Sequence, residues 1–86
     1  MWVMMTYDVG VKRNARMRKT CRKYLIHVQK SVFEGNITER KLKKLKWEIE
    51  RIINPDEDQV AIYELDTLRY FKKNVIGYHL AEDNIL

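Results

Sequence analysis

Apolar positions change their spacing several times along this chain, and each change marks an element. Residues 2–7 form a nearly continuous run of aromatic and β-favouring types, which predicts a strand buried on both faces. Asp8-Val9-Gly10 interrupts the run. From residue 11 to about residue 26 the period is helical, with Met17, Cys21, Tyr24, Leu25 and Val28 on one arc. On the opposite arc Lys12, Arg16, Lys19 and Lys23 recur at i, i+4, i+7 and i+11. Residues 27–34 return to strand character but lose phase at Ser31, where Val32 and Phe33 are adjacent apolar positions. This predicts a bulge or a very tight reversal.

Gly35-Asn36 then reads as a turn. Thr38 is a helix N-cap, with Glu39 in the first turn and Ile37 and Leu42 spaced as a hydrophobic staple. The second helix runs to about residue 53, with Leu42, Leu45, Ile49 and Ile52 as its core face, and Asn54-Pro55 stops it. Residues 59–65 alternate as a strand, residues 66–73 suit a helical turn, and residues 74–78 a short last strand. The order β-α-β-(β)-α-β-β predicts an α+β fold. It suits a ferredoxin-like split βαβ, an antiparallel sheet with both helices on one face. Residues 1–78 make the domain, and residues 79–86 a polar tail that carries Ile85 and Leu86.

At 86 residues the chain holds one domain, and one Cys permits no internal disulfide. A domain of this size is marginal as a monomer, so a homodimer is expected. With 45% hydrophobic residues and only three Gly and one Pro, the sequence is neither disordered nor a linker. Its longest apolar run is far too short to span a bilayer, so no membrane partner is expected and the location is read as cytoplasmic.

Charge changes the picture more than composition does. From residue 9 to residue 33 lie eight basic residues and no acidic one, while the rest of the chain after Phe33 is slightly acidic. The formal net charge of +5 therefore comes from one short segment. Solvated helix faces usually mix signs, so a single-sign stripe points to phosphates. Lys12, Arg13, Arg16, Lys19 and Lys23 are the candidate nucleic-acid contacts, with Arg13 and Arg16 favoured because a guanidinium grips phosphate bidentately. Such contacts read the backbone rather than the bases.

Tyr7-Asp8-Val9 closing the first strand, Lys12-Arg13 opening the first helix, and Val28-Gln29-Lys30-Ser31-Val32-Phe33-Glu34-Gly35 as the second strand together resemble one family. It is the small CRISPR-associated endoribonuclease family, and the similarity covers essentially the whole chain. Gly10 and His27 depart from it, at positions where a polar and a basic residue are common. The resemblance implies a ferredoxin-like homodimer whose C-terminal strand reaches the partner subunit. It implies two roles on that fold: a magnesium-dependent nuclease on single-stranded RNA or duplex DNA, and a platform between integrase subunits in spacer acquisition. A toxin-like ribonuclease without integrase partners is the alternative.

Asp8 is the only acidic residue among the first 33. As a catalytic residue it would be a magnesium ligand, paired with its counterpart across a dimer axis. As a structural residue it would cap the first helix or balance Lys12 and Arg13. Trp47 falls off the core face of the second helix and reads as an exposed anchor for a partner, an integrase subunit or the second copy. Ile85 and Leu86 are docking candidates of the same kind.

Overall fold

The computed structural model describes residues 1–65, 72 and 74–77. It contains β1 (Trp2–Asp8), α1 (Val11–Arg22), β2 (Ile26–Gln29), β3 (Val32–Asn36), α2 (Glu39–Glu50) and β4 (Gln59–Leu65). The strands form one antiparallel sheet in the order β2-β3-β1-β4. β1 thus lies between β3 and β4, the split βαβ arrangement expected from the element order.

Strand pleating divides β1 into two faces. Val3, Met5 and Tyr7 are buried, and they join Phe33, Met17, Cys21, Leu42, Leu45 and Ile49 in a single core cluster. Both helices therefore cover the same side of the sheet. Trp2, Met4 and Thr6, in the other phase, are only half-buried, so β1 is not closed on both faces as its apolar run predicts. Continuous hydrophobicity here serves a covered face and a second, open one.

Helix α2 begins as its sequence dictates. The Thr38 hydroxyl accepts from the Lys41 amide at 3.2 Å, and Ile37 and Leu42 are both buried. It ends at Glu50, short of the expected residue 53, with Arg51 as C-cap, yet Ile52 still packs into the core. Helix α1 also ends early, at Arg22. Lys23 is its C-cap, and Ile26, expected in the helix, pairs with Glu34 as the first residue of β2. Leu25 keeps its place in the core from the connecting turn, which is why the apolar stripe looked unbroken.

The strand expected over residues 27–34 is two strands. Lys30-Ser31 reverses the chain between Gln29 and Val32, and the register also slips between His27 and Gln29, so both a reversal and an irregularity are present. Lys30 takes a φ of 34°, in the left-handed region that such tight reversals need. Gly35-Asn36 is not a turn but the end of β3, paired with Val3 and Trp2. Residues 74–77 belong to no strand of this chain. The helical turn expected over residues 66–73 (Lys72 apart), Tyr78, and the tail 79–86 with Ile85 and Leu86 lie outside the described residues.

Candidate nucleic-acid interface and metal ligand

The solvent side of α1 is built as the sequence pattern requires. Met17, Thr20 and Cys21 face the core, leaving Lys12, Arg16 and Lys19 exposed on the outer arc. None of these three cations has a carboxylate within ion-pair distance among the described residues. Their charges are therefore open to solvent and to any polyanion that approaches the helical layer.

Two other members of the basic group are engaged within the fold. Arg13 Nε meets Asp58 Oδ2 at 2.5 Å and its Nη2 meets Oδ1 at 2.8 Å, a closed bidentate pair. The Asp58 side chain is fully enclosed, and it also accepts from the amides of Gly10 at 2.9 Å and Asn54 at 2.8 Å. Those hydrogen bonds, Arg13 foremost, hold the Asp58 carboxyl well below the usual carboxylate range. The guanidinium fork chosen for phosphate is thus closed on a carboxylate, and Arg13 is a structural residue that fastens α1 to the segment after α2. The same contact accounts for Gly10, since a Cβ there would sit 2.6 Å from Arg13 Nη2. Lys23 meets Glu48 at 2.5 Å, beside the Tyr24 hydroxyl, which also donates to Glu48. Lys23 therefore ties α1 to α2.

Sequence reasoning missed Asp58 because its partners are 45 and 48 residues away. A signal existed nearby: Asn54-Pro55-Asp56-Glu57-Asp58 ends a helix with three acids, one of which the turn faces inward.

Asp8 behaves differently. The N-cap of α1 is Gly10, with no side-chain cap, so Asp8 does not cap the helix. Among the described residues its side chain makes no hydrogen bond or ion pair, neither with Lys12 nor with Arg13. Its carboxylate is exposed at the end of β1, opposite Gln59 of β4, in the strand phase that faces away from the helices. It lines a depression of about 200 Å³ with Thr6, Tyr7, Gln59, Ala61 and Tyr63. Of these, Thr6, Asp8, Gln59 and Tyr63 carry side-chain oxygens suited to a hard cation, with only one carboxylate among them. No group of three His, Cys, Asp or Glu side chains converges on one point among the described residues. Among the described residues Asp8 is thus the one carboxylate that this depression offers.

Beside Asp8, Tyr7 is buried against Phe33, with ring centroids 6.1 Å apart, and its amide donates to the Ser31 carbonyl. Burial pushes its phenol above the ordinary value, aided by Cys21 and opposed by Arg18, the Ser31 hydroxyl and Arg22. Cys21 is buried and its thiol is pushed up to about 12, which makes it an inert core group. Trp47 is 56% exposed, as expected, with the Arg51 guanidinium 4.6 Å from its ring centroid. No helix among the described residues is long and apolar enough to cross a membrane.

Comparison with known proteins places this arrangement. A family model described as CRISPR associated protein Cas2 matches residues 1–73. The CRISPR-associated endoribonuclease Cas2 of Thermotoga maritima is 42% identical over 86 residues, covering 100% of this chain and 99% of the relative. The protein of the same name from Dictyoglomus turgidum is 47% identical over 77 residues, covering 90% and 88%. Among solved structures, a crystal structure of Cas2 superposes with a TM-score of 0.85 at 35% identity, over 95% of this chain and 92% of its own. Streptococcus pyogenes Cas2 gives 0.75 at 29% identity, over 87% and 99%. A match of this extent in both sequence and topology makes the chain a member of the CRISPR associated protein Cas2 family.

Proposed function

We propose that this chain acts as a homodimer in CRISPR spacer acquisition, carrying duplex nucleic acid on its helical layer and bridging integrase subunits. The observation that carries this reading is the row of Lys12, Arg16 and Lys19, exposed and free of ion pairs among the described residues. Phosphate contacts of this kind bind without base preference and weaken steeply with salt. The bridging role rests on family membership. Ile85 and Leu86, the apolar pair that follows Glu82-Asp83-Asn84, are the proposed contact with the integrase subunit. Dimerisation is supported by the open sheet face, where Trp2, Met4, Tyr63 and Leu65 lie in one strand phase and none is fully buried.

A second reading is favoured by the unengaged Asp8 carboxylate and by the name endoribonuclease carried by the relatives. In it, the two Asp8 side chains of a dimer hold a magnesium ion and RNA is cleaved. Bound there, the ion would supply Lewis-acid stabilisation at a phosphate and an activated water. The Asp8 carboxylate is available for this role because it faces solvent and has no ion-pair partner among the described residues.

The two readings use opposite layers of the fold, so one experiment separates them. Wild type, Asp8→Ala and the triple variant Lys12→Ala/Arg16→Ala/Lys19→Ala are assayed on duplex DNA and single-stranded RNA, with magnesium or EDTA. Asp8→Ala is expected to bind both ligands as wild type does and to cut neither. The triple variant is expected to bind weakly, its slope of log affinity against log salt shallower by about 2–3. Wild type that binds neither ligand would overturn the platform. Cleavage that survives Asp8→Ala would overturn the metal reading.

A further inference from the structure

We infer that the outer face of α2 is a second nucleic-acid surface, and that Trp47 on it takes an unpaired base by stacking. Leu42, Leu45, Ile49 and Ile52 define the buried arc of α2 and its C-terminal turn. At 100° per residue, Trp47 lies directly opposite that arc, on the outermost line of the helix. Arg40, Lys43, Lys44 and Arg51 flank it on the same face, all exposed. Glu39 lies at its margin, and Glu50 lies as far from Trp47 around the helix as Lys44 does, on the other side.

Three features of this face point to nucleic acid. None of the four flanking cations has a carboxylate within ion-pair distance among the described residues. Lys46, which points elsewhere, is the cation of α2 that pairs with Glu64, and Glu48 is held by Lys23 and Tyr24. Next, Arg40 and Lys41 stand in the first turn of α2 beside Glu39, where the helix dipole disfavours cations. Two cations to one acid in that turn leave room for an external anion as a stabilising partner. Finally, Trp47 stands among cations and has no apolar neighbour on its own helix face, unlike the aromatic anchor of a protein interface. Arg51 already rests on the indole at 4.6 Å, which shows that the ring accepts a flat group on its face, and 56% of the residue stays exposed. An aromatic ring set among phosphate-binding cations is how single strands are held without base preference.

This inference rests on the nucleic-acid reading above but adds an element, α2, and a base-stacking contact at Trp47. It is tested by the Trp47 emission of the Trp2→Phe protein, whose one tryptophan is Trp47, and by the affinities of Trp47→Ala and Trp47→Phe against wild type. The probes are a twelve-nucleotide oligothymidine, an abasic strand of equal length, a blunt duplex and polyglutamate. Oligothymidine is expected to quench Trp47 and to lose about 10-fold in affinity in Trp47→Ala, with most of that restored in Trp47→Phe. Duplex affinity is expected to stay within about twofold, since it requires no stacking. Equal binding of the abasic strand, or an equal loss for duplex and single strand, would overturn the stacking role. Quenching by polyglutamate as strong as by oligothymidine would overturn it in favour of an acidic protein partner. Failure of wild type to bind any of the nucleic acids would sink both this inference and the platform. Trp47 is exposed and outside the core, so both variants are expected to fold, as circular dichroism would verify.

Discussion

Asp58 accepts four hydrogen bonds, from Gly10, Asn54 and both arms of the Arg13 fork, whereas Asp8 accepts none among the described residues. The same side chain is structural in one place and chemically available in the other. A carboxyl held below its unfolded value stabilises the fold at pH values above the unfolded pKa, and that contribution fades as pH falls through the folded one. Asp58→Asn should therefore lower the melting temperature at pH 7. The gap from wild type should narrow as the pH falls below about 4, where an unfolded aspartate takes up its proton. Thermal unfolding at pH 7 and at pH 3 would check this, and an equal gap at both would contradict it. Arg13→Gln should likewise destabilise the fold yet leave the salt slope of nucleic-acid binding unchanged, unlike Arg16→Ala. Nothing in the sequence near residue 13 separates these two arginines, because what distinguishes them is the carboxylate brought to Arg13 from 45 residues away.

Elements were legible where their signals are local. The start of α2 is written in Ile37, Thr38, Glu39 and Leu42, and the structure uses each of them nearby. The end of α1 carries no Gly or Pro, and Tyr24 and Leu25 prolong its apolar stripe, so only the pairing of Ile26 with Glu34 shows where the strand begins. The β2–β3 reversal was visible as a loss of phase at Ser31, but its cost was not. Lys30 sits at a φ of 34°, where a side chain crowds the backbone. Lys30→Gly should stabilise the protein by about 0.5 kcal/mol, the relief of crowding being partly offset by glycine's freer unfolded state. Urea unfolding would measure the change, and a loss of stability would show that the Lys30 carbonyl's contact with His27 Nε2 depends on the lysine backbone geometry.

At the scale of the molecule, the sheet divides the functions. Asp8 faces the open side, and the cations of α1 and α2 face outward from the helical side. A dimer formed through the open face would bring the Asp8 residues of two copies toward one another and leave both cationic layers outward. Met4→Lys, which puts an ammonium on that face beside Tyr63, should yield a monomer in sedimentation at concentrations where wild type is dimeric. Cleavage should fall with the dimer if two Asp8 residues share an ion. A dimeric Met4→Lys protein would move the interface elsewhere.

The sequence alone determined the element types up to residue 65, the split βαβ order, the N-cap of α2 and the single-sign stripe of α1, because periodicity, capping and charge are properties of neighbours along the chain. The last strand expected over residues 74–78 is absent from residues 74–77. Only the tertiary structure decided that β1 has one open face, that Arg13 is closed on Asp58 while Arg16 is free, and that Lys23 is tied to Glu48. Each of these depends on which distant segment arrives opposite a side chain, through pairings such as Asp8 with Gln59 and contacts such as Gly10 with Asp58. Burial and ion pairing are set by that arrival, and no local pattern encodes it.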